Sequence, residues 1–134
     1  MSEPVNAPFT AFIGGMVEEK SEGRVRLSLA TGPQHADAIG NVHTGALTTI
    51  MDSVIGIALG TLRGERGTYR PHATIEMSTS FYAHATPGDE IDAEGRVTQL
   101  SERVAFGEVE ARRRSDGALL AKARLTFAIP AARP

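Results

Sequence analysis

The sequence predicts an α+β domain in which one long central helix is wrapped by an antiparallel sheet. Three observations carry that reading. Residues 44–62 follow a helical hydrophobic period and are apolar on nearly every side. The stretches on either side alternate apolar and polar residues with the period of two that marks strands. No second long helix is available to cover the first, so the sheet must do it. At 134 residues the chain fits a single domain, residues 1–134, with residues 1–14 as a lead-in and residues 130–134 as a frayed tail.

Taken in order, the lead-in holds one short helical turn at residues 8–13, ended by Gly14-Gly15. Residues 16–19 and 24–30 form a hairpin around Ser21-Glu22-Gly23, because Val25, Leu27 and Leu29 alternate with Arg24, Arg26 and Ser28. Residues 31–42 are rich in Gly, Pro, His, Asp and Asn and read as a loop. The helix starts after Thr44 and runs to about Leu62, closed by Gly64 and Gly67. On it Thr48, Thr49, Asp52, Ser53 and Gly56 fall within an arc of roughly 140° at 100° per residue, interrupted only by Leu59. Residues 73–82 are a strand with Ala73, Ile75, Met77 and Phe81 on the inward face. After a turn at Thr86-Pro87-Gly88-Asp89, residues 91–100, 104–113 and 119–129 complete a four-strand meander with it. Asp116-Gly117 supplies one hairpin turn. The inward parity slips between Val104-Phe106 and Val109-Ala111, which predicts a bulge at Gly107.

Composition excludes more than it proposes. With 14 Lys+Arg against 16 Asp+Glu and a net charge of −2, nucleic acid and anionic membrane surfaces are not expected partners. Zero cysteines remove disulfides, thiolate metal sites and a cysteine nucleophile together, and fit a reducing, cytoplasmic setting. The first residues carry Glu3 and two prolines and no apolar run, so no secretory signal is expected. The apolar stretch 46–62 contains Asp52 and is expected to be too short and too charged for a membrane span. His35, His43, His72 and His84 are too scattered for a metal motif, with His72 and His84 expected at the surface or a pocket rim. Arg112-Arg113-Arg114 reads either as a solvated charge run or as a phosphate contact.

The stretch Gly40-Asn41-Val42-His43-Thr44-Gly45 leads straight into the helix. Backbone N–H groups at a helix start are unpaired and lie at the positive end of the dipole, so this spot suits an oxyanion. Asp52 lies about two turns further on, in a helix that is otherwise core. A buried carboxylate costs several kcal/mol unless it is paired or lines a cavity. Either Thr48, Thr49, Ser53 or a strand backbone satisfies it, or it stands at a cleft or subunit interface as a general base or nucleophile.

His43-Thr44-Gly45-Ala46-Leu47, Asp52 nine positions after the histidine, residues 73–81, Pro87-Gly88-Asp89 and Asp116-Gly117-Ala118-Leu119-Leu120-Ala121 together resemble the hotdog-fold acyl-CoA thioesterases of the PaaI-like group. The resemblance covers residues 15–129 in order. It implies a hotdog dimer or dimer of dimers with the site at the subunit interface, an acyl-CoA substrate, and no cofactor beyond the CoA of the substrate itself. It implies Asp52 as the acid that activates water or attacks the thioester. It makes the Thr44 N–H, with Gly45 beside it, the oxyanion donor, although the family usually carries glycine at the Thr44 position. His43 would fix the loop or position the thioester, and Thr74 would face the acid. Where the family has an asparagine six residues before the histidine this chain has Asp37, while Asn41 lies two before it. Either Asn41 substitutes or Asp37 makes a second acid near Asp52. Two other readings of the fold stay open: acyl-thioester hydration or dehydration through His43 and Asp52, and acyl-CoA binding without turnover.

Overall fold

The computed structural model describes residues 2–63 and 71–131. In chain order these hold β1 (Glu3–Pro4), α1 (Pro8–Phe12), β2 (Met16–Ser21), β3 (Arg24–Ala30), a 3₁₀ turn (Pro33–His35), α2 (Thr44–Arg63), β4 (Ala73–Phe81), β5 (Glu90–Leu100), β6 (Val104–Arg113) and β7 (Leu119–Ala128). The strands form one antiparallel sheet in the order β1-β2-β3-β5-β6-β7-β4. It wraps α2, as the hydrophobic pattern requires. The glycines expected to close α2, Gly64 and Gly67, and most of the expected tail lie outside the described residues.

The helix sits deep because the inner face of the sheet is built from small residues. Ala93, Ala105, Ala111, Ala121 and Ala123 are buried there, and Leu27, Leu29 and Ile91 close the sides. At two points even a methyl group does not fit. A Cβ on Gly95 would stand 3.0 Å from Val54 Cγ1, and one on Gly107 2.7 Å from Ile55 Cγ2. Ile50, Met51, Val54, Ile55, Ala58 and Leu59 of α2 are fully buried against this face. The helix is 20 residues long and, by length and composition alone, could cross a membrane, contrary to the sequence reading. Its apolar side chains are instead spent on the sheet.

Three expectations are corrected. The last four strands are not a meander: β5, β6 and β7 pair in succession, but β4 lies beyond β7 at the sheet edge, and β5 pairs with β3. The turn at residues 86–89 does form, but it docks on the residue after β3 rather than closing a β4–β5 hairpin. Thr31 N–H donates to Asp89 O and Gly88 N–H to Thr31 O. Secondly, the bulge lies opposite Gly107, at Thr98 of β5. Gly107 itself points inward, so Ala105, Gly107, Val109 and Ala111 keep one parity and Phe106 faces out. Thirdly, β4 as an edge strand leaves Ala73, Ile75 and Phe81 exposed and only Met77 of the expected inward set partly covered. The lead-in is more ordered than expected, since β1 pairs with β2.

Candidate active site

Two sets of predicted residues occupy two places on α2. The first is the loop that feeds the helix. His35 anchors it from below: buried, it accepts the Gly32 N–H at Nδ1, donates from Nε2 to the Ile13 carbonyl, and its own carbonyl accepts the His43 N–H at 2.7 Å. The Val42 N–H donates to Ala85 O, tying the loop to the 82–89 crossover. Asp37 folds back on this loop, its Oδ1 accepting the N–H groups of Ile39 and Asn41. The Asn41 amide above all holds the Asp37 carboxyl below the usual carboxylate range. Within one chain Asp37 thus turns its carboxyl to its own loop and does not line the groove at Asp52. The Asn41 side chain is half-buried and makes no hydrogen bond among the described residues.

At the helix start the His43 ring lies over the first turn, where its Nδ1 accepts the Gly45 N–H at 2.8 Å. That bond fixes the neutral tautomer with the proton on Nε2. It also explains the glycine, because a Cβ on residue 45 would fall 2.9 Å from the ring. With the Gly45 amide occupied by His43, the exposed Thr44 N–H makes no hydrogen bond among the described residues. This leaves one backbone N–H and one imidazole N–H at the positive end of the helix dipole.

The second place is a groove of about 780 Å³ beside the middle of α2, lined by Asp52, Ser53, Gly56, Ile57, His72, Thr74 and Phe127 and closed by the lead-in and β2. Thr74 Oγ1 donates to Asp52 Oδ1 at 2.6 Å. The other candidate partners of Asp52 are engaged elsewhere. Thr48 and Thr49 bond back to the carbonyls of Thr44 and Gly45, and Ser53 meets the buried Thr10 at 2.7 Å. Asp52 Oδ2 accepts nothing among the described residues. Thr74 reaches the acid from an irregular stretch of β4, since the β4–β7 register slips at Ile75, and a bulge of this kind re-aims a side chain. His72, half-buried, lines the groove, in keeping with its expected place at the surface or a pocket rim.

A second concavity, about 710 Å³ on the outer sheet face, is walled by arginines and acids and contains none of the predicted site residues. The Arg112–Arg114 run is there already paired: Arg112 with Glu110, Arg113 with Asp116 and Asp89, Arg114 with Glu90 and Asp92. Among the described residues, no three or more His, Cys, Asp or Glu side chains cluster as metal ligands.

The profile of the Thioesterase superfamily matches residues 39–120, from the loop ahead of α2 into β7. The chain belongs to the thioesterase superfamily. That match takes in His43, Thr44, Asp52 and Thr74 together. Among relatives, this superfamily member is 29% identical to human acyl-coenzyme A thioesterase 13 over 104 residues, covering 78% of this chain and 71% of that one. It spans only 63% of the length of a Caenorhabditis elegans relative, with 26% identity over 110 residues. Its fold matches a mutant of the phenylacetic acid degradation protein PaaI from Thermus thermophilus, with a TM-score of 0.80, 24% identity, and coverage of 91% and 98% of the two chains. It also matches a hypothetical thioesterase from Streptococcus pneumoniae solved with coenzyme A, at a TM-score of 0.79, 18% identity, and coverage of 90% and 89%. The hotdog fold is thereby established.

Proposed function

We propose that this superfamily member hydrolyses an acyl-CoA thioester to the free acid and CoA. The observation that carries the reading is the groove acid: Asp52, on an otherwise apolar helix, is held through one oxygen by Thr74 and has the other unengaged. Asp52 acts as general base. It takes a proton from water as the water oxygen bonds to the thioester carbon, the tetrahedral oxyanion is held by the Thr44 N–H and the His43 Nε2–H, and collapse breaks the C–S bond. The CoA thiolate leaves with the proton that Asp52 received. CoA enters as part of the substrate, and no further cofactor takes part. The substrate amide region meets the Asn41 side chain, with Gly45 keeping His43 in place. The cysteine-free composition supports a cytoplasmic setting.

In this reading Asp52 and the loop of one site come from different subunits. Thr44 and Asp52 are eight residues apart, about 12 Å along the helix axis and about 80° around it. Moreover, the groove at Asp52 contains none of His43, Thr44 or Gly45. We propose a homodimer in which the partner subunit's Thr44 faces this chain's Asp52, formed along the exposed edge of β4 and able to pair again into a tetramer.

The test is free-thiol release from a panel of acyl-CoAs by the wild type, Asp52→Ala and Asp52→Asn. Loss of about 10²–10⁴-fold in kcat is expected, the size of a general-base contribution. Equal turnover by all three would remove Asp52 from the mechanism. Hydration of an enoyl-CoA without thiol release would establish the hydratase reading instead, and saturable CoA binding with no turnover would make this a binding module.

A further inference from the structure

Within one subunit the start of β4 is weakly held by packing, yet it carries the hydroxyl that touches Asp52. Residues 73–76 are exposed, β4 has β7 as its one strand neighbour among the described residues, and the register slips beside Thr74. Within one subunit, apolar burial therefore does little to fix Thr74 on the acid. His72 supplies what packing does not. Its Nε2–H donates to the Gly56 carbonyl at 3.0 Å, and its Nδ1 accepts from Arg63 Nη1 at 2.8 Å. A carbonyl only accepts and a guanidinium only donates, so the pair of bonds fixes the neutral Nε2–H tautomer. The ring also meets Phe127 edge-on, centroids 5.5 Å apart at 72°.

These contacts match the geometry of the two elements. Residues 72 and 74 project to the same side of the chain, and Asp52 and Gly56 lie one turn apart on one helix face. Two successive rungs thus join β4 to α2, His72 to Gly56 and Thr74 to Asp52. Gly56 makes the first rung accessible: a Cβ there would already stand 4.0 Å from His72 Nε2, so a longer side chain would contend with the ring for the helix backbone.

We propose that His72 is a positioning residue for hydrolysis, a clamp that fastens the start of β4 to α2 and so keeps the Thr74 hydroxyl on the Asp52 carboxylate. This rests on the hydrolase reading for its effect on turnover, but the clamp itself does not. His72→Phe retains a ring against Phe127 and removes both hydrogen bonds. It is expected to lower kcat about tenfold, the loss that one or two hydrogen bonds confer, with KM within about twofold. His72→Gln, whose amide can donate to Gly56 and accept from Arg63, recovers most of the rate. Because His72 acts through Thr74, His72→Phe added to Thr74→Val costs nothing beyond Thr74→Val alone.

Wild-type kcat in His72→Phe, a change confined to KM, no recovery with Gln, or multiplying losses in the double variant would each overturn the proposal. Two measurements need no turnover. Amide hydrogen exchange across residues 73–77 should quicken in His72→Phe, and unchanged exchange would overturn the clamp. In the wild type, ¹⁵N shifts of the His72 ring should report the neutral Nε2–H tautomer, which decides the geometry even where a variant does not fold. Should the wild type release no thiol from any acyl-CoA, the hydrolase reading fails while exchange and ¹⁵N shifts still decide the clamp.

Discussion

At the scale of single residues the site turns on which N–H groups remain free at the start of α2. Thr44 is the first residue of the helix, where proline is well tolerated because an N–H there has no intrahelical partner. Thr44→Pro should therefore delete the proposed oxyanion donor and leave the helix intact. The expected result is a loss of about 10²–10³-fold in kcat, the cost of one oxyanion-hole donor, with unchanged far-UV circular dichroism. His72 gives a second prediction. Burial first, then the Arg63 guanidinium, hold its imidazole below the ordinary histidine range, against the opposing pull of the Gly56 carbonyl. The unfolded chain thus binds a proton more readily than the folded one. The stabilisation is complete above the unfolded pKa of about 6.5 and is lost as pH falls through the lower, folded value. Urea midpoints should decline over that interval in the wild type and less steeply in His72→Phe. Parallel declines would remove His72 from the linkage. Asp52 was legible in the sequence because a lone acid in an apolar helix demands a reason, and Thr74 was legible through the family resemblance. The contacts of His72 were not, since they include a backbone carbonyl and an arginine at the far end of that helix, neither of which leaves a pattern.

Among the elements, α2 was readable nearly to the residue because its hydrophobic period is long and unbroken. The sheet was readable in its strands but not in their order. Alternation tells which face of a strand is buried, not which strand lies beside it, and the position of β4 is set by the long return through residues 82–89, tied to Thr31 and Val42 by backbone bonds. Strand β6 misled for a related reason. Phe106 is hydrophobic enough to suggest an inward position, yet the inward position belongs to Gly107, because Ile55 of α2 fills the space where a side chain would stand. Gly107→Ala puts a methyl group 2.7 Å from Ile55 Cγ2 in a core with little slack. It should destabilise the fold by about 1–3 kcal/mol, the usual cost of overpacking, with a lower urea midpoint and a largely unchanged m-value. A midpoint equal to the wild type would mean that α2 can lift off the sheet there at no cost.

On the scale of the whole molecule, the unsatisfied features point one way. Strand β4 runs for nine residues along an open sheet edge, with Ile75 62% and Phe81 46% exposed. A long edge of this kind is a template for another strand. The free Thr44 N–H and the Asp52 carboxylate lie about 12 Å apart along one helix and about 80° apart around it, each half of the proposed site. In the proposed two-fold dimer a loop from each chain stands opposite the acid of the other, which makes a direct test possible. Asp52→Asn and Thr44→Pro are each expected to be nearly inactive alone. When the two are unfolded together and refolded as an equal mixture, half of the dimers contain one chain of each kind. Each such dimer has one site with an intact loop and an intact acid and one site with neither, so about a quarter of the wild-type activity should return. Sites contained within one chain would return nothing, because every chain in the mixture carries a defect. The size of the recovery thus separates a shared site from a private one, and light scattering on the same sample verifies that the dimer has reformed.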